Sequence, residues 1–141
     1  MLRFLVAVDG SDTSDRVVAH LLKQWVWYRE PIEVHLLNVQ PPLHGDVATF
    51  VAKDQLQQFH HDEGIKALAS ARGKLDAAGL KHVFHIGVGD PAQVIAHYAR
   101  EKQCDQIVMG SRGLGSLSGL VLGSVTMKVL HLTDVPILIV K

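Results

Sequence analysis

The chain has 141 residues, the length of about one domain, and 48% of them are hydrophobic, enough for a core that needs neither disulfides nor metal. Its 14 Lys and Arg balance its 14 Asp and Glu. A neutral chain carries no electrostatic footprint for nucleic acid or an anionic membrane, so both are set aside as partners.

Residues 2–8 form an apolar run broken by Arg3 and closed by Asp9-Gly10-Ser11-Asp12, which predicts a buried strand, a turn and a helix cap. Over 14–28, Val17, Val18, Leu21, Leu22, Trp25 and Val26 recur at helical spacing, and Pro31 marks the exit. Trp25 and Trp27 cannot both face the core of one helix, so one packs and the other is partly exposed. Residues 32–39 read as a second strand, and Pro41-Pro42 with Gly45 as a loop. A long helix is predicted over 52–78, with Gly79 as its cap and Gly64 and Gly73 as weak points. The third strand spans 81–87. Asp90-Pro91 opens a helix that turns Val94, Ile95, Tyr98 and Ala99 inward and ends near Lys102. A fourth strand covers 106–110, a glycine-rich loop leads to a helix over 118–132, and 136–140 is the last strand.

Apolar strands alternating with helices imply parallel strands covered on both faces. Right-handed crossovers favour one doubly wound open α/β sheet of five parallel strands in the order 3-2-1-4-5, with residues 1–141 as a single domain. In that order the winding reverses between strands 1 and 4, and ligands bind beyond the strand ends at such a point. The residues there are Asp9 and Gly110.

Cys104 is the one cysteine, expected in a helical stretch beside Asp105 without basic neighbours, and it reads as an ordinary thiol of a reducing compartment. The N-terminus lacks the pattern of a secretory leader, and no apolar run approaches about 18 residues, so a cytoplasmic protein is expected. Among nine histidines, His60 and His61 diverge on a helix and His82 and His85 face opposite sides of a strand. Local spacing therefore offers no metal-chelating pair.

The loop after the fourth strand, residues 110–124, holds five glycines and four serines. Glycines let backbone amides approach a ligand, and such amides with a helix N-terminus make an anion site. Arg112 offers a cation, or is simply solvated. Asp9 is either a ligand group or only a turn and cap residue, and Ser118 reads as a cap for the last helix. Three look-alike motifs fail. Gly110-x4-Gly115-Ser116 has serine where a P-loop has its lysine. Gly87-Val88-Gly89-Asp90-Pro91-Ala92 follows an edge strand away from the switch point and lacks an amide at Pro91. Asp9-Gly10-Ser11-Asp12-Thr13-Ser14 lacks the glycine pair of the ATP pyrophosphatases, which argues against adenylating chemistry.

The spacing Gly110-x2-Gly113-x9-Gly123-Ser124 resembles the signature of the ATP-binding universal stress proteins. The resemblance runs the length of the chain, through Val6-Ala7-Val8-Asp9-Gly10-Ser11, Leu37-Asn38-Val39 and Asp134-Val135-Pro136-Ile137-Leu138-Ile139-Val140. It implies an adenine nucleotide, ATP first with ADP or AMP as alternatives, accompanied by Mg2+. It implies that Asp9 and the backbone of Val39 hold the adenosine end, and that Ala7 and Met109 line the base pocket. Gly110 would lie by the ribose, and Arg112, Gly113, Gly123, Ser124 and Val125 around the phosphates. It also implies a homodimer through the apolar C-terminal edge strand. The resulting expectation is a nucleotide-dependent stress-response or signalling module rather than an enzyme, with an unidentified downstream partner. A slow, partner-dependent ATPase and a nucleotide-free dimeric scaffold are the alternatives.

Overall fold

The computed structural model describes residues 1–43, 45, 50–113 and 122–141. Strand β1 (Leu2–Ala7) pairs in parallel with β2 (Ile32–Gln40) on one side and with β4 (Gln106–Gly110) on the other. Strand β3 (His82–Val88) lies outside β2, and β5 (Ile137–Val140) outside β4, giving the order β3-β2-β1-β4-β5. The sheet is the doubly wound one expected from the alternation of apolar runs and amphipathic stretches.

Helices α1 (Asp12–Gln24) and α2 (Lys53–Ala78) cover one face. Their Val17, Leu21, Leu68 and Leu75 pack on Phe4, Val6, Val34, Leu36 and Val108 of the strands. Helices α3 (Pro91–Glu101) and α4 (Ser124–Leu132) cover the other face, where Ile95, Ala99 and Val129 meet Leu5, Leu37, Ile107 and Met109. The period-2 alternation of each strand divides its residues between the two cores.

The elements depart from expectation at their ends. Helix α1 stops at Gln24, and residues Trp25–Trp27 tighten into a 3-10 turn. Tyr28 then turns extended and sets its ring edge-on to Phe4, with centroids 5.1 Å apart. Trp25 packs on the core while Trp27 stays 66% exposed. Helix α2 runs unbroken through Gly64 and Gly73, and Gly79 closes it in the left-handed region at φ 69°. A Cβ on Gly64 would lie 2.6 Å from the Ile86 side chain, so this glycine lets α2 lie against β3. Helix α4 starts at Ser124 rather than near Ser118, and Ser118 lies outside the described residues. Cys104 is buried in the turn between α3 and β4 instead of on a helix.

His82 and His85 do face opposite sides. His82 reaches Asp76 of α2 at 3.4 Å, whereas His85 lies beside Tyr98 of α3. The register of β2 on β3 also makes a pair that local spacing did not reveal. His35 Nδ1 and His85 Nε2 are 3.0 Å apart with nearly parallel rings, and His35 Nε2 lies 2.9 Å from Glu33 Oε1. One proton fits between the two facing nitrogens.

Gly64→Val should lower stability by about 1–3 kcal/mol through overpacking. Gly73, with open space where its Cβ would be, should gain up to about 1 kcal/mol as Gly73→Ala. Thermal melting of both variants checks the contrast. Burial, with the neighbouring His35 second, holds the His85 imidazole below the usual histidine range. The unfolded chain then binds more protons, so the contribution is complete above the unfolded pKa of about 6.5 and is lost as pH falls below it. Urea midpoints should drop more between pH 7.5 and 5.5 in wild type than in His85→Asn; equal drops would show that this histidine is not responsible.

Candidate functional site

Because α1 leaves β1 toward one face and α4 follows β4 on the other, neither covers the adjacent ends of those central strands. A cleft of about 930 Å³ opens there. All ten residues singled out in the sequence line it: Ala7 and Asp9 after β1, Val39 on β2, Met109 and Gly110 on β4, Arg112 and Gly113 beyond it, and Gly123, Ser124 and Val125 at the start of α4.

The wall after β1 is held by short polar side chains. Asp9 Oδ1 accepts the Ser11 N–H at 2.9 Å and the Ser14 hydroxyl at 2.7 Å. Ser14 Oγ in turn accepts the Asp9 N–H at 2.9 Å, and Ser11 Oγ caps α1 by accepting the Ser14 N–H at 3.2 Å. Asp9 is thus a turn and cap residue as well as a cleft residue. Its second oxygen is turned toward Gly113, where a Cβ would lie 2.5 Å from it. A Cβ on Gly110 would run into the Thr13 methyl group, so glycine is what lets the end of β4 pass the start of α1.

The wall after β4 is fixed by backbone. The Ser111 N–H donates to Val140 O at 2.9 Å, and the Gly123 N–H donates to Ser111 O at 2.7 Å. These two bonds draw residues 111 and 123 together at the base of the loop, while the buried Thr126 hydroxyl donates to Gly110 O at 3.0 Å. Gly123 precedes α4 in extended conformation and supplies no side-chain cap. Helix geometry leaves the first-turn amides without an intrahelical acceptor, and here that turn begins with Ser124 and Val125 on the cleft. Arg112 is half-buried at the same end. Residues 114–121, with Gly115, Ser116, Ser118 and Gly119, lie outside the described residues.

Several cleft residues escaped the sequence reading. Glu63 and Lys66 reach it from α2, paired at 3.3 Å, and Pro91 and Ile95 from α3. The turn before α3 was expected away from the switch point, yet the first turn of that helix forms part of the wall. Gly87 itself is a packing residue, since a Cβ there would lie 2.6 Å from Val94. Asn38 and Gln40 of β2 also line the cleft. A buried asparagine within an apolar strand was the one local sign of this.

Among the described residues, no three His, Cys, Asp or Glu side chains converge as a metal site. Cys104 belongs to the α3–α4 core, and burial pushes its thiol up to about 11, as befits an inert thiol. No described helix is long and apolar enough to cross a membrane.

Comparison with known proteins places this architecture. The family model for the universal stress protein family matches residues 1–141. Universal stress protein YxiE of Bacillus subtilis is 33% identical, the match covering 99% of this chain and 98% of that protein. A universal stress protein of Thermus aquaticus is 43% identical over 97% and 96% of the two chains. Among solved structures, hypothetical protein MJ0577, of Methanocaldococcus jannaschii, superposes with a TM-score of 0.83 at 29% identity, covering 99% and 94%. Two others share the fold at lower identity. A family protein of Arabidopsis thaliana with AMP bound has a TM-score of 0.71 at 21% identity, covering 100% and 92%. The universal stress protein of Archaeoglobus fulgidus in complex with dAMP has 0.68 at 22%, covering 100% and 98%.

Proposed function

The chain belongs to the universal stress protein family, and we propose that within it this protein is an adenine-nucleotide-binding module whose preferred ligand is ATP. The observation that carries the proposal is the cleft between β1 and β4, apolar at one end and rich in backbone donors at the other. Ala7, Leu37, Val39 and Met109 make an apolar slot suited to a base. The uncapped first turn of α4, the Ser124 hydroxyl and the Arg112 guanidinium suit phosphate. The AMP and dAMP complexes of proteins with this fold support the nucleotide class.

Mg2+ fits as a companion of the nucleotide rather than as a resident ion. This ion is commonly held by one or two carboxylates together with substrate phosphates, and Asp9 supplies a carboxylate in the cleft. The ion would neutralise phosphate charge.

Binding without efficient turnover is the reading for the chemistry. The loop lacks the P-loop lysine, Asp9 Oδ1 is committed to Ser11 and Ser14, and Glu63 is paired with Lys66. The buried single thiol suits a reducing compartment, which supports a cytoplasmic location.

Calorimetric titration should show Mg-ATP binding to the wild type. Ser124→Ala, removing one hydroxyl donor, should cost about 1.5–3 kcal/mol if that hydroxyl meets charged oxygen, roughly a ten- to hundredfold loss of affinity. Hydrolysis by the pure protein should fall well below about 1 s⁻¹. No binding at millimolar ATP would favour the nucleotide-free scaffold, and ordinary enzymatic turnover would refute the module reading.

We also propose a homodimer through β5. Ile137–Val140 is apolar, half-buried and at the sheet edge, where an unpaired strand recruits another. Ile139→Arg should shift sedimentation at micromolar concentration from dimer toward monomer; a monomeric wild type would rule the dimer out.

A further inference from the structure

Strand β3 forms the edge of the sheet opposite β5. Lys81 O accepts the Val34 N–H at 3.0 Å, and the Gly89 N–H donates to Gln40 O at 3.1 Å. Backbone groups alternate in direction along a strand, so the odd-numbered residues between these two aim their N–H and C=O at β2. His82, Phe84, Ile86 and Val88 aim theirs away from the sheet, where no described strand lies. Sheet edges are commonly blunted by a proline, a lysine, a bulge or a very short strand. This one runs for seven residues, His-Val-Phe-His-Ile-Gly-Val, in unbroken register with β2. Lys81, just before it, is engaged with Glu33 at 3.1 Å. Val83 and Val88 are 40% and 48% exposed.

A cation stands beside the same edge. The Arg72 guanidinium of α2 lies over the Phe84 ring, 4.2 Å from its centroid, and no described residue pairs with it through a hydrogen bond or salt bridge. Its neighbour Asp76 faces His82 instead, at 3.4 Å. Together with Val83 these residues line a hollow of about 370 Å³. None of them lines the cleft between β1 and β4. In a strand added outside β3, the side chain opposite Phe84 on the α2 face would stand about 5 Å from it, Cβ to Cβ. A carboxylate there is within reach of the guanidinium. We propose that β3 is a docking edge for an extended segment of another protein, whose backbone lengthens the sheet and whose Asp or Glu opposite Phe84 pairs with Arg72. The main-chain bonds supply affinity, and the fork of the guanidinium selects for the carboxylate. A second copy of this chain is a poor occupant, because its own His82–Val88 holds no Asp or Glu to offer.

The probe is a soluble synthetic peptide of alternating threonine and valine with one central glutamate, and the control is the same peptide with glutamine. By fluorescence anisotropy the glutamate peptide should bind the wild type about tenfold tighter than the glutamine peptide. Arg72→Gln should abolish that preference, and circular dichroism melting confirms that the variant is folded. Amide exchange followed by NMR should slow at Phe84, Ile86 and Val88 in saturating peptide, because their N–H groups face outward. Equal binding of the two peptides by the wild type, or a preference that survives Arg72→Gln, would overturn the pairing with Arg72. Absence of binding at millimolar peptide, or unchanged exchange at those three amides, would show that the edge accepts no strand. Protection that appears without peptide and grows with protein concentration would make a second copy the occupant and overturn the choice of partner.

Discussion

The reversal of winding between β1 and β4 is the constraint from which the rest of the molecule follows. A right-handed crossover places α1 and α2 on the face reached by moving from β1 through β2 to β3. The return through α3 to β4 and onward through α4 to β5 uses the other face. No helix can then cover the adjoining ends of the two central strands. The buried core and the open cleft are consequences of one topology, and neither can be removed without the other.

That geometry crowds the backbone where the strands end. The end of β4 must pass the first turn of α1, and the segment beyond it must pass Asp9. Gly110 and Gly113 meet these demands because a side chain at either would collide with Thr13 or with the Asp9 carboxylate. The glycine spacing thus records packing as well as ligand approach. The bonds from Ser111 to Val140 and from Gly123 to Ser111 complete the arrangement by drawing the loop ends to the edge strand. Loop and edge share these bonds, so the cleft wall is part of the same framework as β5.

The residues that the sequence made legible are those near strand ends and glycines. Each strand was recognisable because its apolar run ended at a turn signal, and parallel pairing followed from the intervening helices. The end of the first helix moved because tertiary contact overrode local pattern: Tyr28 leaves the helical path to pack on Phe4. The long helix stays whole through Gly64, as its predicted span implied, and uses the space that glycine leaves over Ile86. The missed cleft residues share a different cause. Lys66 and Ile95 carry no local mark of a site; they reach it because whole helices pack beside the switch point. The His35–His85 pair was equally invisible, since it depends on the register of β2 against β3 across 50 residues.

The way polar groups are spent in the cleft bears on what the protein can do. Asp9 Oδ1 and Ser14 are tied into the start of α1, Asn38 is tied to Val8, and Thr126 is tied to Gly110. Each of these holds a backbone segment at the strand ends in position. A general base has to keep a lone pair for the proton it takes, and a nucleophile has to be activated by such a base. A site that commits its buried polar side chains to fixing its own walls gains a rigid shape instead. Rigidity of this kind lowers the ordering cost of receiving a ligand.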